Sequence, residues 1–371
     1  MGKEFSIYVH IPFCISKCYY CDFNSYASVD EEKIQKYVEV LINEIKNSTY
    51  FCNEICKGIY FGGGTPSYID SVYIRKIINS IREKYIVDEN AEVTIEVNPC
   101  SANKEKLKEY IDCGFNRLSI GLQTTDNVKL KCIGRKHTYE KFLEVYNLAR
   151  EIGFKNINVD LMLALPNEKI EDVKKDVENI IGLNPEHIST YSLIVYEDTP
   201  MYEIIKESVM PTEKEERQMY HIVKEMLEKS GYMQYEISNY SKENMYSRHN
   251  MMCWKQKEYI GFGIGACSFI DNKRLQNSID LDEYINNNNP VILEDMTNEE
   301  LMNEYMMLGF RLIDGINIKD FETKYEIDIF EKYGEILSKL DKEGLIKIFE
   351  DKIIPTEKGL DLNNQLCIEF I

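Results

Sequence analysis

Two rhythms of apolar residues alternate along the first half of this chain. Short runs rich in β-branched and aromatic residues read as strands. Segments between them carry apolar residues three and four positions apart and read as helices. Strands are expected at residues 6–13, 58–61, 91–97, 117–122, 156–165 and 187–196. Helices are expected at 31–47, after Pro66 to about 84, at 103–112 and 139–152, and between the fifth and sixth strands to about 182. In the first of these, Ile34, Tyr37, Val38, Leu41, Ile42 and Ile45 form one face. Six strand–helix units in succession, with no block of strands or helices alone, predict a parallel α/β architecture. Six units are too few for a closed eight-stranded barrel, so a partial barrel and an open doubly wound sheet are the candidates. In both, chemistry belongs at the C-terminal ends of the strands. Cys14, Gly62 to Thr65, Glu96, Gln123 and Asp160 fall there.

The second half is less regular. One amphipathic helix is expected at 212–230, an alternating stretch at 232–240, and a glycine-rich turn from Gly261 to Cys267. Asn287 to Pro290 reads as a boundary loop. Beyond it, helices at 298–312 and 330–342, a hairpin over 344–349 and 352–354, and a short helix near Thr356 suggest a small helical or winged-helix-like domain. The expected division is 1–235 for the barrel, 236–290 for an extension of it, and 291–371 for the C-terminal domain.

Three cysteines, Cys14, Cys18 and Cys21, lie within eight residues, directly after the first strand. Pro12 stops that strand and leaves the thiols on a loop. Three thiolates can hold three irons of a [4Fe–4S] cluster and leave the fourth iron open to a small molecule. A zinc site completed by His10, or a redox pair formed by Cys18 and Cys21, fits the spacing too.

Composition narrows the setting. The 371 residues are 44% hydrophobic, enough for a barrel-sized core with a smaller domain beside it. A net charge of −19 argues against a phosphate-reading surface, so the C-terminal domain is expected to pack against its neighbour rather than bind nucleic acid. Eleven cysteines, an odd number without an export signal, read as reduced thiols, and no run is long enough for a transmembrane helix. The expected compartment is the cytoplasm. Gly2 and Ser6 meet the loose myristoylation pattern, against which stands the placement of Ser6 in the first strand.

The stretch from Tyr8 through Cys14-Ile-Ser-Lys-Cys18-Tyr-Tyr-Cys21 closely resembles the cluster loop of radical S-adenosylmethionine (SAM) enzymes of the oxygen-independent coproporphyrinogen-oxidase-like family. The resemblance continues through Phe61-Gly-Gly-Gly-Thr-Pro66, Glu96-Val-Asn-Pro99, Ser119-Ile-Gly-Leu-Gln123, Gly134-Arg-Lys-His-Thr138, Asn158-Val-Asp160 and Tyr191-Ser-Leu. It reaches the C-terminal domain at Leu308-Gly-Phe-Arg-Leu-Ile-Asp-Gly315. It implies a partial (β/α)6 TIM-type barrel with a [4Fe–4S] cluster on Cys14, Cys18 and Cys21, and with SAM on the open iron. By the same resemblance, Gly63, Gly64 and Thr65 let backbone approach the methionine end of SAM. Glu96 accepts from its amino group, Arg135 pairs with its carboxylate, Asp160 holds its ribose, and Gln123 and Tyr8 make further contacts.

Members that oxidise coproporphyrinogen carry one more cysteine two positions after the third ligand, and an N-terminal extension. Here that position is Phe23, and thirteen residues precede Cys14. Both departures resemble the heme chaperone branch of the family, which binds heme and passes it to acceptor proteins. His249-Asn-Met-Met-Cys253-Trp254 is similar to a His-Asn-x-x-Tyr-Trp pattern of that branch, with Cys253 in place of tyrosine. The resemblance puts His249 forward as a heme ligand and Trp254 as a packing surface. Ile264 and Cys267 stand where the family commonly has proline and histidine, which makes Cys267 an alternative thiolate ligand. The competing expectation is a radical SAM oxidoreductase or methyltransferase acting on a tetrapyrrole or another small molecule. SAM cleavage would then draw electrons from a flavodoxin or ferredoxin. A third is an idle scaffold with a structural cluster.

Overall fold

The computed structural model describes residues 4–287 and 289–371. Gly2, and with it the myristoylation pattern, lies outside the described residues, as does Asn288 of the expected boundary loop. Ser6 is in the first strand.

Twelve strands form one sheet: β1 (Glu4–Ile11), β2 (Ile55–Gly63), β3 (Ile86–Val97), β4 (Arg117–Gln123), β5 (Ile157–Leu163), β6 (His187–Ser192), β7 (Met233–Glu236), β8 (Asn239–Ser241), β9 (Tyr259–Phe262), β10 (Cys267–Ile270), β11 (Lys273–Gln276) and β12 (Val291–Asp295). Their order across the sheet is β12-β11-β10-β9-β1-β2-β3-β4-β5-β6-β8-β7. The run β1 to β6 is parallel, and β9 joins it as a parallel neighbour of β1. Strands β7, β8 and β10 to β12 are antiparallel additions at the two ends.

Helices α1 (Glu31–Asn47), α2 (Ser71–Lys84), α3 (Lys104–Asp112), α4 (Tyr139–Ile152), α5 (Ile170–Leu183) and α6 (Glu213–Lys229) cover one face of this sheet. Local chemistry starts them: Asp30 accepts from the Lys33 amide at α1, and Thr212 and Glu215 form a reciprocal capping box at α6. Residues of odd parity in β1, Phe5, Ile7, Val9 and Ile11, are fully buried beneath the helices. Ile59 and Phe61, Val93 and Ile95, Leu118 and Ile120, and Val159 and Leu161 continue the layer. The opposite parity faces the concave side, and its members are polar: Tyr8, Tyr60, Glu96, Arg117, Ser119, Gln123, Asn158, Asp160 and Ser189. A strand's side chains alternate between faces, so one period-2 pattern builds both the apolar core and a polar cavity wall.

Two sequence expectations change. The glycine-rich turn at 261–267 is a strand end, a tight turn and a new strand. A Cβ on Gly261 would lie 2.2 Å from the Cys267 carbonyl oxygen, so only glycine lets β9 approach β10 this closely. The asparagine-rich loop leads into β12, which pairs with β11 and so extends the large sheet.

Helices α7 (Arg248–Trp254), α8 (Asn298–Gly309) and α9 (Ile329–Lys342) complete the landmarks. The C-terminal region has its own core, in which Met306, Phe310, Phe321, Leu337, Leu340 and Ile353 are buried. Three short strands, β13 (Ile316–Asn317), β14 (Ile346–Ile348) and β15 (Lys352–Pro355), form a second sheet beside it in the order β13-β15-β14. No helix among the described residues is long and apolar enough to cross a membrane.

Candidate functional site

A cavity of about 520 Å³ opens at the C-terminal ends of the parallel strands. Its wall contains Cys14, Cys18 and Cys21 together with Gly63, Gly64, Thr65, Glu96, Gln123, Arg135 and Asp160. Residues spread over 147 positions of sequence therefore face one space. Tyr8, His249 and Cys267 are not part of that wall.

The cysteine loop is held against the end of β2. Residues 13–14 pair in parallel with 26–27, which closes the loop, and the Tyr26 amide donates to the Pro12 carbonyl at 2.7 Å. A Cβ on Gly64 would lie 2.7 Å from the Pro12 carbonyl carbon and 3.0 Å from Cys14 Sγ. On Gly63, at φ +113°, it would lie 2.7 Å from the His10 ring. These glycines are therefore required by close approach, before any ligand is considered. His10 is occupied on both ring nitrogens: Nδ1 with the Tyr8 hydroxyl at 3.1 Å and Nε2 with the Asn24 carbonyl at 3.0 Å. It is a buttress for the loop, and the zinc reading that needed it as a ligand loses that ligand.

Each thiol has a polar neighbour. Cys14 Sγ is 3.3 Å from Thr65 Oγ1, Cys21 Sγ 3.9 Å from Ser25 Oγ, and Arg135 Nη1 reaches Cys18 Sγ at 3.7 Å. Burial pushes the Cys14 and Cys21 thiols above their ordinary range, so a bound metal centre has to displace their protons.

Opposite the thiols, the Tyr60 hydroxyl donates to Glu96 Oε1 at 2.8 Å. Burial raises the Glu96 carboxyl to about 7, against the hydrogen bond from Tyr60, which lowers it. Burial also raises Asp160, which accepts from Asn158 Nδ2 at 2.7 Å. Gln123 ends β4 with φ +78°, an uncommon conformation for a side-chain-bearing residue, and accepts from the Tyr191 hydroxyl at 2.8 Å. Arg135 also donates from Nη2 to the Gly121 carbonyl.

Arg117 was absent from the sequence-based candidates. It is 2% exposed, lines the cavity, and has Glu92 as an ion partner at 3.9 Å. Counting back from Gln123 in steps of two along β4 reaches Gly121, Ser119 and Arg117, so parity alone would have placed it on the cavity side. Tyr60 is reached likewise from Gly62 on β2.

Comparison with known proteins places the chain. Residues 8–180 match the model of the radical SAM superfamily, and residues 296–362 that of the HemN C-terminal domain. The heme chaperone HemW of Lactococcus lactis is 33% identical over 100% of this chain and 98% of its own length. The chain belongs to the HemW family. The heme chaperone HemW of Bacillus subtilis is 34% identical, with 99% of each chain covered. The structure of Escherichia coli coproporphyrinogen III oxidase (HemN), a radical SAM enzyme, superposes with a TM-score of 0.87 at 23% identity. It covers 100% of this chain and 90% of its own. The fold is thus the radical SAM fold, with a HemN-type C-terminal domain. A radical SAM protein carries a [4Fe–4S] cluster and SAM, and a cavity combining three thiols, two glycines at a strand end, the Glu96 and Asp160 carboxyls and two guanidiniums has the donor set both require.

Neither His249 nor Cys267 lines the cavity. His249 Nδ1 is 3.1 Å from Ser6 Oγ, its Nε2 3.9 Å from Cys253 Sγ, and its ring stacks on Tyr60 at 5.3 Å and Tyr8 at 6.0 Å. Cys267 Sγ accepts from Gln276 Nε2 at 3.6 Å across the β10–β11 pair. Trp254 carries the Arg311 guanidinium 4.2 Å above its ring.

Proposed function

We propose that this chain is a cytoplasmic heme chaperone that holds a [4Fe–4S] cluster on Cys14, Cys18 and Cys21, binds SAM beside it, and delivers heme to acceptor proteins. The carrying observation is full-length similarity, at 33 and 34% identity, to two proteins named as heme chaperones. Phe23, at the position of the additional cysteine, supports the same reading.

In the proposed site, Gly63 and Gly64 present backbone to the methionine end of SAM, Glu96 accepts from its amino group, and Arg135 pairs with its carboxylate. Asp160 accepts from the ribose hydroxyls, Gln123 borders the same wall, and Tyr8 acts from the layer beneath. A cluster held by these three cysteines would supply the one electron that reductive SAM cleavage requires, and the barrel walls would exclude water around it. That intact cavity favours one second reading, a radical SAM oxidoreductase or methyltransferase fed by a flavodoxin or ferredoxin.

Heme titration of the anaerobically reconstituted protein, followed by transfer to an apo-hemoprotein, tests the first reading. A Soret band that forms stoichiometrically and moves to the acceptor is the expected result. Porphyrinogen turnover with release of 5′-deoxyadenosine, in a protein that binds no heme, would replace it with the second. For iron ligation, His249 has to leave its stack on Tyr60 and Tyr8. Heme spectra of His249→Ala and Cys267→Ala test each residue as an axial ligand.

A further inference from the structure

Below Glu96 the concave face of the barrel is closed by an aromatic stack. Tyr8, on β1, and Tyr60, on β2, lie side by side with ring centroids 6.3 Å apart and planes 21° apart. His249 of α7 lies against both, 20° from the plane of Tyr8 and 29° from that of Tyr60. The helix that carries it is anchored at its start. The Ser247 hydroxyl accepts from the Asn250 amide, and the Arg248 amide donates to Glu92 Oε1 at 3.0 Å.

Tyr60 also faces the cavity. Its hydroxyl reaches Glu96, and the ring borders the open cavity. Without an aromatic neighbour beneath it, a phenol beside about 520 Å³ of open space has rotamers that carry its hydroxyl away from the carboxylate.

We propose that Tyr60, held in place by His249, is a positioning residue that aims the Glu96 carboxylate at the amino group of SAM. This rests on the reading that Glu96 receives that group. The HNxxCW segment then belongs to the SAM site through its histidine, by way of two aromatic contacts, independently of any role toward heme.

The charged and titratable groups facing Glu96 are Tyr8 from β1, Tyr60 from β2, Arg117 from β4 and Asp160 from β5. Burial and the Asp160 charge favour the protonated carboxyl, and Tyr60, the Gly63 amide and Arg117 favour the ionised one. A protonated carboxyl aims an O–H donor at the N–H groups of the SAM amino group, whereas the ionised carboxylate only accepts, so binding favours the ionised form. SAM affinity therefore rises as pH increases through about 7, where Glu96 loses its proton. Removing the Tyr60 donor raises the carboxyl further, and the midpoint of that rise moves to higher pH.

The test is calorimetric titration of the full-length, cluster-loaded protein with SAM across neutral pH, with iron and sulfide content measured alongside. Tyr60→Phe is expected to weaken SAM binding about tenfold at pH 7, the scale of a hydrogen bond to a charged group, and to shift the midpoint upward. His249→Ala should move both quantities in the same direction, and His249→Phe, which keeps a ring under Tyr60, should restore them. Glu96→Gln should weaken binding and flatten its pH dependence. If Glu96→Gln changes nothing, the underlying reading of Glu96 falls. If Glu96→Gln acts while Tyr60→Phe leaves affinity and midpoint untouched, the positioning role is overturned. Weaker binding in Tyr60→Phe at an unshifted midpoint overturns it as well, since that marks a structural effect alone.

Discussion

Cys14, Cys18 and Cys21 differ in what surrounds them, although the sequence presents them as equivalents. Cys14 is 8% exposed and lies against Thr65, while Cys18 faces Arg135 from another loop and Cys21 has Ser25 nearby. Three irons need three thiolates, so changing any one of these cysteines to alanine is expected to abolish the cluster's visible absorbance after reconstitution. Iron and acid-labile sulfide assays check this, and a full cluster in any single variant contradicts the ligand set. Spacing was enough to find these residues because all three sit on one short loop. Arg117 and Tyr60 sit in strands, where identity says little until parity and neighbouring strands show which way the side chain points.

Among the elements, the junction between β2 and the cysteine loop is the most tightly constrained. At Gly64 the missing side chain is replaced by the Pro12 backbone and the Cys14 sulfur. Gly64→Ala forces that loop outward, and the expected cost is about 1–3 kcal/mol of stability with reduced cluster occupancy. Chemical denaturation and iron content measure the two effects, and an unchanged protein would mean that the loop yields freely. Parallel strands and their covering helices were legible because each buries a continuous apolar face. Strand β9 was not, since Gly261 and Gly263 imitate a turn. Its partner β1 lies some 250 positions earlier, and β9 is a strand because that partner supplies the ladder.

For the whole molecule, Arg311 joins the two cores. It lies over Trp254 on α7 and pairs at 3.4 Å with Glu236, which is fully buried at the end of β7. Arg311→Ala leaves that carboxylate without its countercharge, and is expected to destabilise the protein by about 2–4 kcal/mol. The additional change Glu236→Gln should recover part of the loss, measured by urea denaturation of the double-mutant cycle. Trp254 and the Arg311 cation are 57 positions apart, a pairing that no local pattern announces.

The sequence by itself determined the alternation of strand and helix, the cluster loop and the family, because each is written in short-range spacing or contiguous motifs. Glu96, Gln123 and Asp160 were also within its reach, as polar residues late in their strands, and Arg135 through the family motif. Only the tertiary structure decided which of the candidates share a cavity. It separated His249 and Cys267 from the thiols, spent the two nitrogens of His10 on Tyr8 and on the loop, and brought Arg117 and Tyr60 into the wall. Sequence spacing encodes which face of an element a side chain occupies. The curvature and order of the sheet decide which faces meet.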